Sequence, residues 1–294
     1  MGWSLKGSSF TTGFGAVNGY ISVLSSTKVA VYNATGTALW EFNFDGTTWS
    51  SVGSSLTPGS ASGSAAVAAL SSTRAAWMDS GAASLRAYDF DGANWSLTGS
   101  GLTITGALIP ALAAMSSSRV AFWDAINASL RAYDFSGSAW SLVGSGLSVG
   151  SAGVLVALAA LSSTRVAFIN ETDQSLRAYD FNGSTWSLVG SGLTLTGIGG
   201  HFTMTALSST RVAFYSESLQ LLQTYDFNGS TWAASGTDFS LTTNTSVNAS
   251  VSSFSATLVA FFNNGVISAY TLDPPRTNIG AREFLRGMSS RQEG

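Results

Sequence analysis

Cysteine is absent from this chain, and histidine occurs once, at His201. The first absence excludes disulfides and thiolate metal sites. The second leaves no pair of imidazoles around which a metal set could assemble, so no cofactor is expected. Charge is scarce as well: only 10% of residues are charged, and the net charge of −3 speaks against a nucleic-acid surface. The longest apolar run, residues 152–161, is about half of what a membrane span needs. Residues 1–6 contain no apolar h-region, and Lys6 stands where a myristoylation motif wants Ser or Thr. Neither a signal peptide nor membrane insertion is therefore expected. A Gly-X-Ser-X-Gly elbow in a strand–helix setting is also missing. His201, beside Gly200, then reads as a loop residue, and the chain as a non-enzyme.

What is present is a repeat. A Val-Ala or Ala-Ala pair begins at Val29, Ala75, Val120, Val166, Val212 and Val259, at steps of 45 to 47 residues. A tryptophan recurs at Trp3, Trp49, Trp95, Trp140, Trp186 and Trp232, at steps of 45 or 46. The two series are out of phase at the ends, since Trp3 has no pair ahead of it and Val259 no tryptophan behind it. Six complete units exist only if the two ends meet, which makes a ring. A repeat of this kind overrides the two-domain expectation that 294 residues would otherwise suggest.

Each unit divides into four short strand-like segments, as in Ile109–Met115, Arg119–Trp123, Leu130–Phe135 and Trp140–Val143. Each is rich in small apolar, β-branched or aromatic residues and is bounded by polar or glycine breaks. Asp91-Gly92, Asn182-Gly183 and Asn228-Gly229 join third to fourth segments, and such pairs reach the positive φ of tight hairpins cheaply. No 3.6-residue period appears. The expected fold is all-β: a six-bladed β-propeller of four-stranded antiparallel blades. Inner strands are expected near 17–24, 64–70, 109–115, 154–161, 202–207 and 246–251. The propeller would cover 1–273, its last blade a composite of 246–272 and 3–10, with the N-terminal strand closing the ring and covering the sheet edges. Residues 274–294 form a separate tail.

On one face the units are uniform. Arg74, Arg119, Arg165 and Arg211 open second strands, while Asp89, Asp134, Asp180 and Asp226 close third strands. The topology places them side by side as cross-strand ion pairs. Gly-Ser-Gly at 144–146 and 190–192 reads as a strand end and not a phosphate cradle, because no helix follows.

The opposite face is individualised, and loops on a rigid scaffold are where binding resides. Its ligand candidates are Asp79, Trp123, Asp124, Asn170, Glu171, Asp173, His201 and Glu217. Asx-turn capping is the plainer account of the Asp and Asn residues among them. In the tail, net +2 against −5 for the remainder, Arg276, Arg282, Phe284, Leu285, Arg286 and Met288 are the candidate partner contacts.

The phrase Ser-Leu-Arg-Ala-Tyr-Asp-Phe-X-Gly-X-X-Trp-Ser-Leu-Val-Gly-Ser-Gly-Leu resembles repeats of virion-associated proteins of tailed bacteriophages. That resemblance implies a structural protein displayed on a head or tail and assembled in the host cytoplasm. It would be anchored to other virion proteins by its tail, with the variable loops facing a host-surface glycan or receptor. It brings no catalytic residues. The alternative is a six-bladed sugar-binding lectin, against which stands the apparent lack of repeated polar positions on the variable face.

Overall fold

The computed structural model describes residues 2–14, 18–34, 37–58, 64–104, 110–149, 155–241 and 249–273. They form six antiparallel sheets of four principal strands each, as the spacing of the repeat predicts. Blade 1 is β2 (Gly19–Val23), β3 (Lys28–Asn33), β4 (Ala38–Phe44) and β5 (Trp49–Leu56). Blade 2 is β6 (Ala65–Ala69), β7 (Arg74–Asp79), β8 (Ser84–Phe90) and β9 (Trp95–Thr103). Blade 3 is β10 (Ala111–Ala114), β11 (Arg119–Asp124), β12 (Ser129–Phe135) and β13 (Trp140–Ser148). Blade 4 is β14 (Val156–Ala160), β15 (Arg165–Asn170), β16 (Ser175–Phe181) and β17 (Trp186–Thr194). Blade 5 is β18 (Phe202–Ser208), β19 (Arg211–Ser216), β20 (Leu221–Phe227) and a broken outer strand, β21 (Trp232–Ala234) and β22 (Phe239–Ser240). Blade 6 is β23 (Ser250–Ser255), β24 (Leu258–Asn263) and β25 (Val266–Leu272), with β1 (Trp3–Thr11) as its outer strand. The register runs Trp3 opposite Leu272 and Lys6 opposite Ala269.

Burial is continuous in the second strands, which read buried after their first residue, and falls away outward, the fourth strands being mostly exposed after their tryptophan. Second strands are covered on both faces by neighbouring blades, so they carry apolar side chains on both. Tryptophan and phenylalanine of each hairpin pack together, as in Phe181–Trp186 with centroids 4.8 Å apart. The inner strands have one sheet edge without a strand partner, and on three blades serine and threonine cover part of it. The Ala69 N–H donates to Ser22 Oγ at 2.8 Å, Val23 to Ser252 at 2.9 Å, and Ser253 to Thr205 at 3.1 Å.

The Arg–Asp pairs form on one face of the ring. Arg165 Nε and Nη2 donate to the two Asp180 oxygens at 2.6 and 2.8 Å, and Arg74–Asp89, Arg119–Asp134 and Arg211–Asp226 repeat this fork. Arg74 and Arg211 hold Asp89 and Asp226 below the usual carboxylate range. Each pair is partly solvated and contributes about 0–1 kcal/mol. The same cations also join blades. Arg74, Arg119 and Arg165 lie over Phe135, Phe181 and Phe227 of the next blade at 5.4, 5.3 and 5.5 Å. Blade 1 rewires the motif: Lys28 pairs at 2.7 Å with the buried Glu41, two residues before Asn43, which stands where the others have Asp.

Gly-Ser-Gly is not a strand end, which corrects the sequence reading: β13 and β17 run on through it. Its first glycine makes a bulge that touches the next blade. Gly144 has φ 64°, the Ser145 N–H donates to Ser184 O at 2.7 Å, and a Cβ on Gly144 would sit 2.0 Å from that oxygen. The same amide-to-carbonyl clasp recurs at Ser8–Thr47, Ser54–Ala93, Ser100–Ser138 and Ser191–Ser230. Gly144→Ala is expected to cost about 2–3 kcal/mol, by overpacking at a left-handed position. Urea denaturation checks it, and an unchanged midpoint would refute the clasp as a packing constraint.

Candidate functional site

On the face opposite the Arg–Asp pairs, three adjacent blades carry the same polar cluster. It is built on the first residues of the third strand, where the side chain after the buried leucine turns toward the preceding blade. In blade 3, Arg131 Nε donates to Ser129 Oγ at 3.0 Å and its Nη2 lies 3.2 Å from Asp124 Oδ2. In blade 4, Arg177 Nη2 lies 2.6 Å from Asp173 Oδ2. In blade 2, Arg86 contacts Ser84 Oγ at 3.4 Å, donates to the Pro58 carbonyl at 2.5 Å, and lies 5.8 Å over the Trp77 ring. Arg131 and Arg177 keep about a quarter of their side-chain surface in water (26% and 28%), so their remaining N–H groups are reachable.

Room for these arginines comes from the second glycine of Gly-Ser-Gly. A Cβ on Gly192 would meet Ser175 Oγ at 2.3 Å and the Arg177 Cγ at 3.1 Å. Tyr88, Tyr133 and Tyr179 lie two residues further on the same strand face, and burial raises each phenol, partly offset by the adjacent guanidinium. Each cluster thus offers fixed cationic donors, carboxylate or carbonyl acceptors and a hydroxyl at the junction of two blades. Blades 5, 6 and 1 replace the arginine with Gln223, Ser268 and Trp40.

Several candidate residues prove to be structural. Trp123 is fully buried and packs edge-on to Phe168 of the next blade, with centroids 5.4 Å apart. Its expected exposure on the variable face is corrected, because that position alternates into the blade junction and not into a loop. Asp79, Asp124 and Asn170 are also buried, each accepting a turn amide: Gly81 at 2.8 Å, Asn127 at 3.1 Å and Asp173 at 2.9 Å. Asp173 in turn accepts the Ser175 N–H at 3.1 Å. Glu217 is buried too, and its carboxylate takes the Ala249 N–H at 3.2 Å, tying blade 5 to blade 6. Burial raises its pKa, against the pull of the backbone N–H groups of Ala249 and His201. Glu171 stays half-exposed at the rim. His201 lines the mouth of the central channel, where burial pushes its imidazole down to about 4. Arg276, Arg282, Phe284, Leu285, Arg286 and Met288 lie outside the described residues.

Sequence reasoning passed over Arg86, Arg131 and Arg177, although Ser-Leu-Arg-Ala-Tyr-Asp-Phe occurs three times. The repeated polar position thought to be missing from the variable face is this one. Among the described residues, no helix is long and apolar enough to cross a membrane.

No family model matches the chain, and no curated protein matches it in sequence. Its fold is similar to that of several solved structures, among them the Aleuria aurantia lectin, a six-bladed β-propeller. A variant of the Aleuria aurantia lectin in complex with Fucα1-6GlcNAc superposes with a TM-score of 0.59 at 16% identity, covering 84% of this chain and 88% of that one. The SapL1 lectin in complex with α-methyl fucoside gives 0.59 at 13% identity, over 90% and 100%. Virginiamycin B lyase from Staphylococcus aureus gives 0.60 at 10% identity, over 92% and 100%. At such identities the likeness establishes architecture alone. It nevertheless corrects the expectation of a bacteriophage virion component, and nothing in it supports a virion location or virion partners. The solved structures that this chain resembles include fucose-bound lectins, and the chain itself is a six-bladed β-propeller.

Proposed function

We propose that this protein is a non-enzymatic carbohydrate-binding propeller whose sugar sites are the blade junctions at Arg86, Arg131 and Arg177. The observation that carries this reading is the repetition, in three adjacent blades, of a partly exposed guanidinium beside an acceptor oxygen, with a serine hydroxyl in contact in blades 2 and 3. Vicinal sugar hydroxyls each donate and accept, so they need paired donors and acceptors held at fixed spacing. A guanidinium braced by a carboxylate or carbonyl supplies that pairing with little ordering cost on binding. The lectin neighbours that hold fucosides support terminal fucose as the first ligand to test. Three sites on one face would raise avidity on a dense glycan surface without any new contact.

The test is titration with α-methyl fucoside together with a glycan array. Saturable binding is expected, and each of Arg131→Ala and Arg177→Ala should weaken its own site about ten- to a hundredfold, as loss of charged hydrogen bonds does. Array binding should vanish in the triple variant with Arg86→Ala. A folded triple variant that still binds glycans as the parent does would overturn the assignment.

A further inference from the structure

The lower end of the ring axis carries a cavity of about 200 Å³, and no charged side chain stands among its lining residues. It opens on the face of the Arg–Asp pairs, where the inner strands end. Its wall is of two kinds. Ser22, Thr205 and Ser252 occupy one register, opposite Ala30, Ala213 and Ala260 of their second strands. Their oxygens accept the inner-edge N–H groups of Ala69, Ser253 and Val23 in the blades that follow. Blades 2, 3 and 4 carry Ala68, Ala113 and Ala159 at that register.

The alanines leave three amides of the following blades, Ala114, Ala160 and Ala206, without that acceptor. All three residues line the cavity and are partly exposed to it. Met115 and Leu161, one residue on, donate to the carbonyls of Arg119 and Arg165, so the Ala114 and Ala160 N–H groups turn the other way, toward the axis. The Ala206 carbonyl accepts the Ser253 hydroxyl of blade 6, which sets that residue's N–H on the axial edge as well. Among the described residues, no protein group accepts from these amides. None accepts from the hydroxyls of Ser22, Thr205 and Ser252 either, each of which takes an amide and keeps its own proton. The cavity therefore holds a donor without a partner at every blade junction, interleaved with strand-edge carbonyls.

We propose that this cavity binds a small neutral polyol of about four carbons, the size that its room for water allows. Each hydroxyl both donates and accepts, so a run of them matches amides that alternate with carbonyls. The sheets hold those groups in place beforehand, which limits the ordering cost of binding. A charged guest is disfavoured, because no side chain of opposite charge replaces its hydration. An apolar guest would leave the amides and carbonyls unmet. The space equals about six waters at roughly 30 Å³ each, most of which such a polyol displaces. This site on the axis is independent of the sugar reading, which concerns the opposite face.

Met204 lines the cavity, whereas Met78 is enclosed between blades 2 and 3. The full chain, its methionine methyls isotope-labelled, is therefore titrated with erythritol and, separately, with its carboxylate analogue erythronate. Met204→Leu assigns the reporting signal. Erythritol should shift that signal saturably in the millimolar range and leave Met78 in place, with erythronate at least about tenfold weaker. Two variants fill the wall. Ala68→Ser with Ala113→Ser and Ala159→Ser covers the three amides with the hydroxyls that the other blades already have. Ala113→Val with Ala159→Val adds the bulk of Thr205 at that register without its hydroxyl. Both should melt cooperatively and lose the shift. Arg86→Ala with Arg131→Ala and Arg177→Ala should keep it, so failure of the cavity and failure of the sugar sites are read separately. No saturable Met204 shift, an equal response to erythronate, or a shift that survives both filling variants would overturn the proposal; the first outcome would leave water alone on the donors.

Discussion

Removal of residues 1–10 is expected to lower the melting temperature by at least about 10 °C or to leave an aggregating chain. The deletion takes away Trp3, 5% exposed and packed among Leu207, Val251 and Leu272, together with most of the outer strand of blade 6. Emptying a buried tryptophan site alone costs about 3–5 kcal/mol. The hydrogen bonds of β1 to β25 are lost as well, along with the Ser8–Thr47 clasp to blade 1. A loss of 5 kcal/mol or more corresponds to about 10–20 °C in a chain of this size. The bared edge of β25 is also a template for strand addition by other chains. Differential scanning calorimetry on the truncated and full chains decides the matter, and a synthetic peptide of residues 1–14 added in trans should restore part of the loss. Should the truncated chain not be isolable, Trp3→Ala tests the same contact, with a smaller expected drop. Equal melting of truncated and full chains would refute closure through this strand.

Trp123→Ala is expected to destabilise the protein by about 3–5 kcal/mol, since it removes a large ring from a fully enclosed site. The indole fills the junction of blades 3 and 4, against Phe168, Val156 and Leu158. Trp123→Phe should cost much less, because the ring contact persists and the indole N–H, which has no partner in its buried setting, is removed. The contrast separates packing from ligand contact. A loop tryptophan used for binding would lose affinity while stability changed by less than about 0.5 kcal/mol. Equilibrium urea denaturation of both variants measures it.

The architecture was legible because its determinants are local or periodic. The 45- to 47-residue spacing, the Asp-Gly and Asn-Gly hairpins and the strand-length apolar segments between polar breaks are each legible from short-range rules. The Arg–Asp pairing was legible for the same reason: antiparallel register sets Arg165 opposite Asp180 once the hairpin is known. The arginines of the proposed sugar sites were written in the repeat too, yet Arg86, Arg131 and Arg177 carry no mark of function that sets them apart from the structural Arg74, Arg119 and Arg165. What separates them is which end of the strand they occupy and which neighbour meets them. The structural set finds a carboxylate on the adjacent strand and a phenylalanine across the junction. The other set finds the second-to-third turn or, in blade 2, a linker carbonyl.

By itself the sequence determined the number of blades, their strand order, the hairpin chemistry and the cross-strand ion pairs, because each depends on residues within one unit. Only the tertiary structure decided burial at the blade junctions and along the axis. Trp123 and Phe122 are adjacent in sequence and equally aromatic, but they point into two different junctions, and the depth of each depends on how closely neighbouring sheets approach. The axis is likewise lined by one apolar residue from each of six distant strands, Ile21, Val67, Leu112, Leu158, Met204 and Val251. Distances between units are set by packing density and by the closing of the ring, and no spacing along a single chain encodes them.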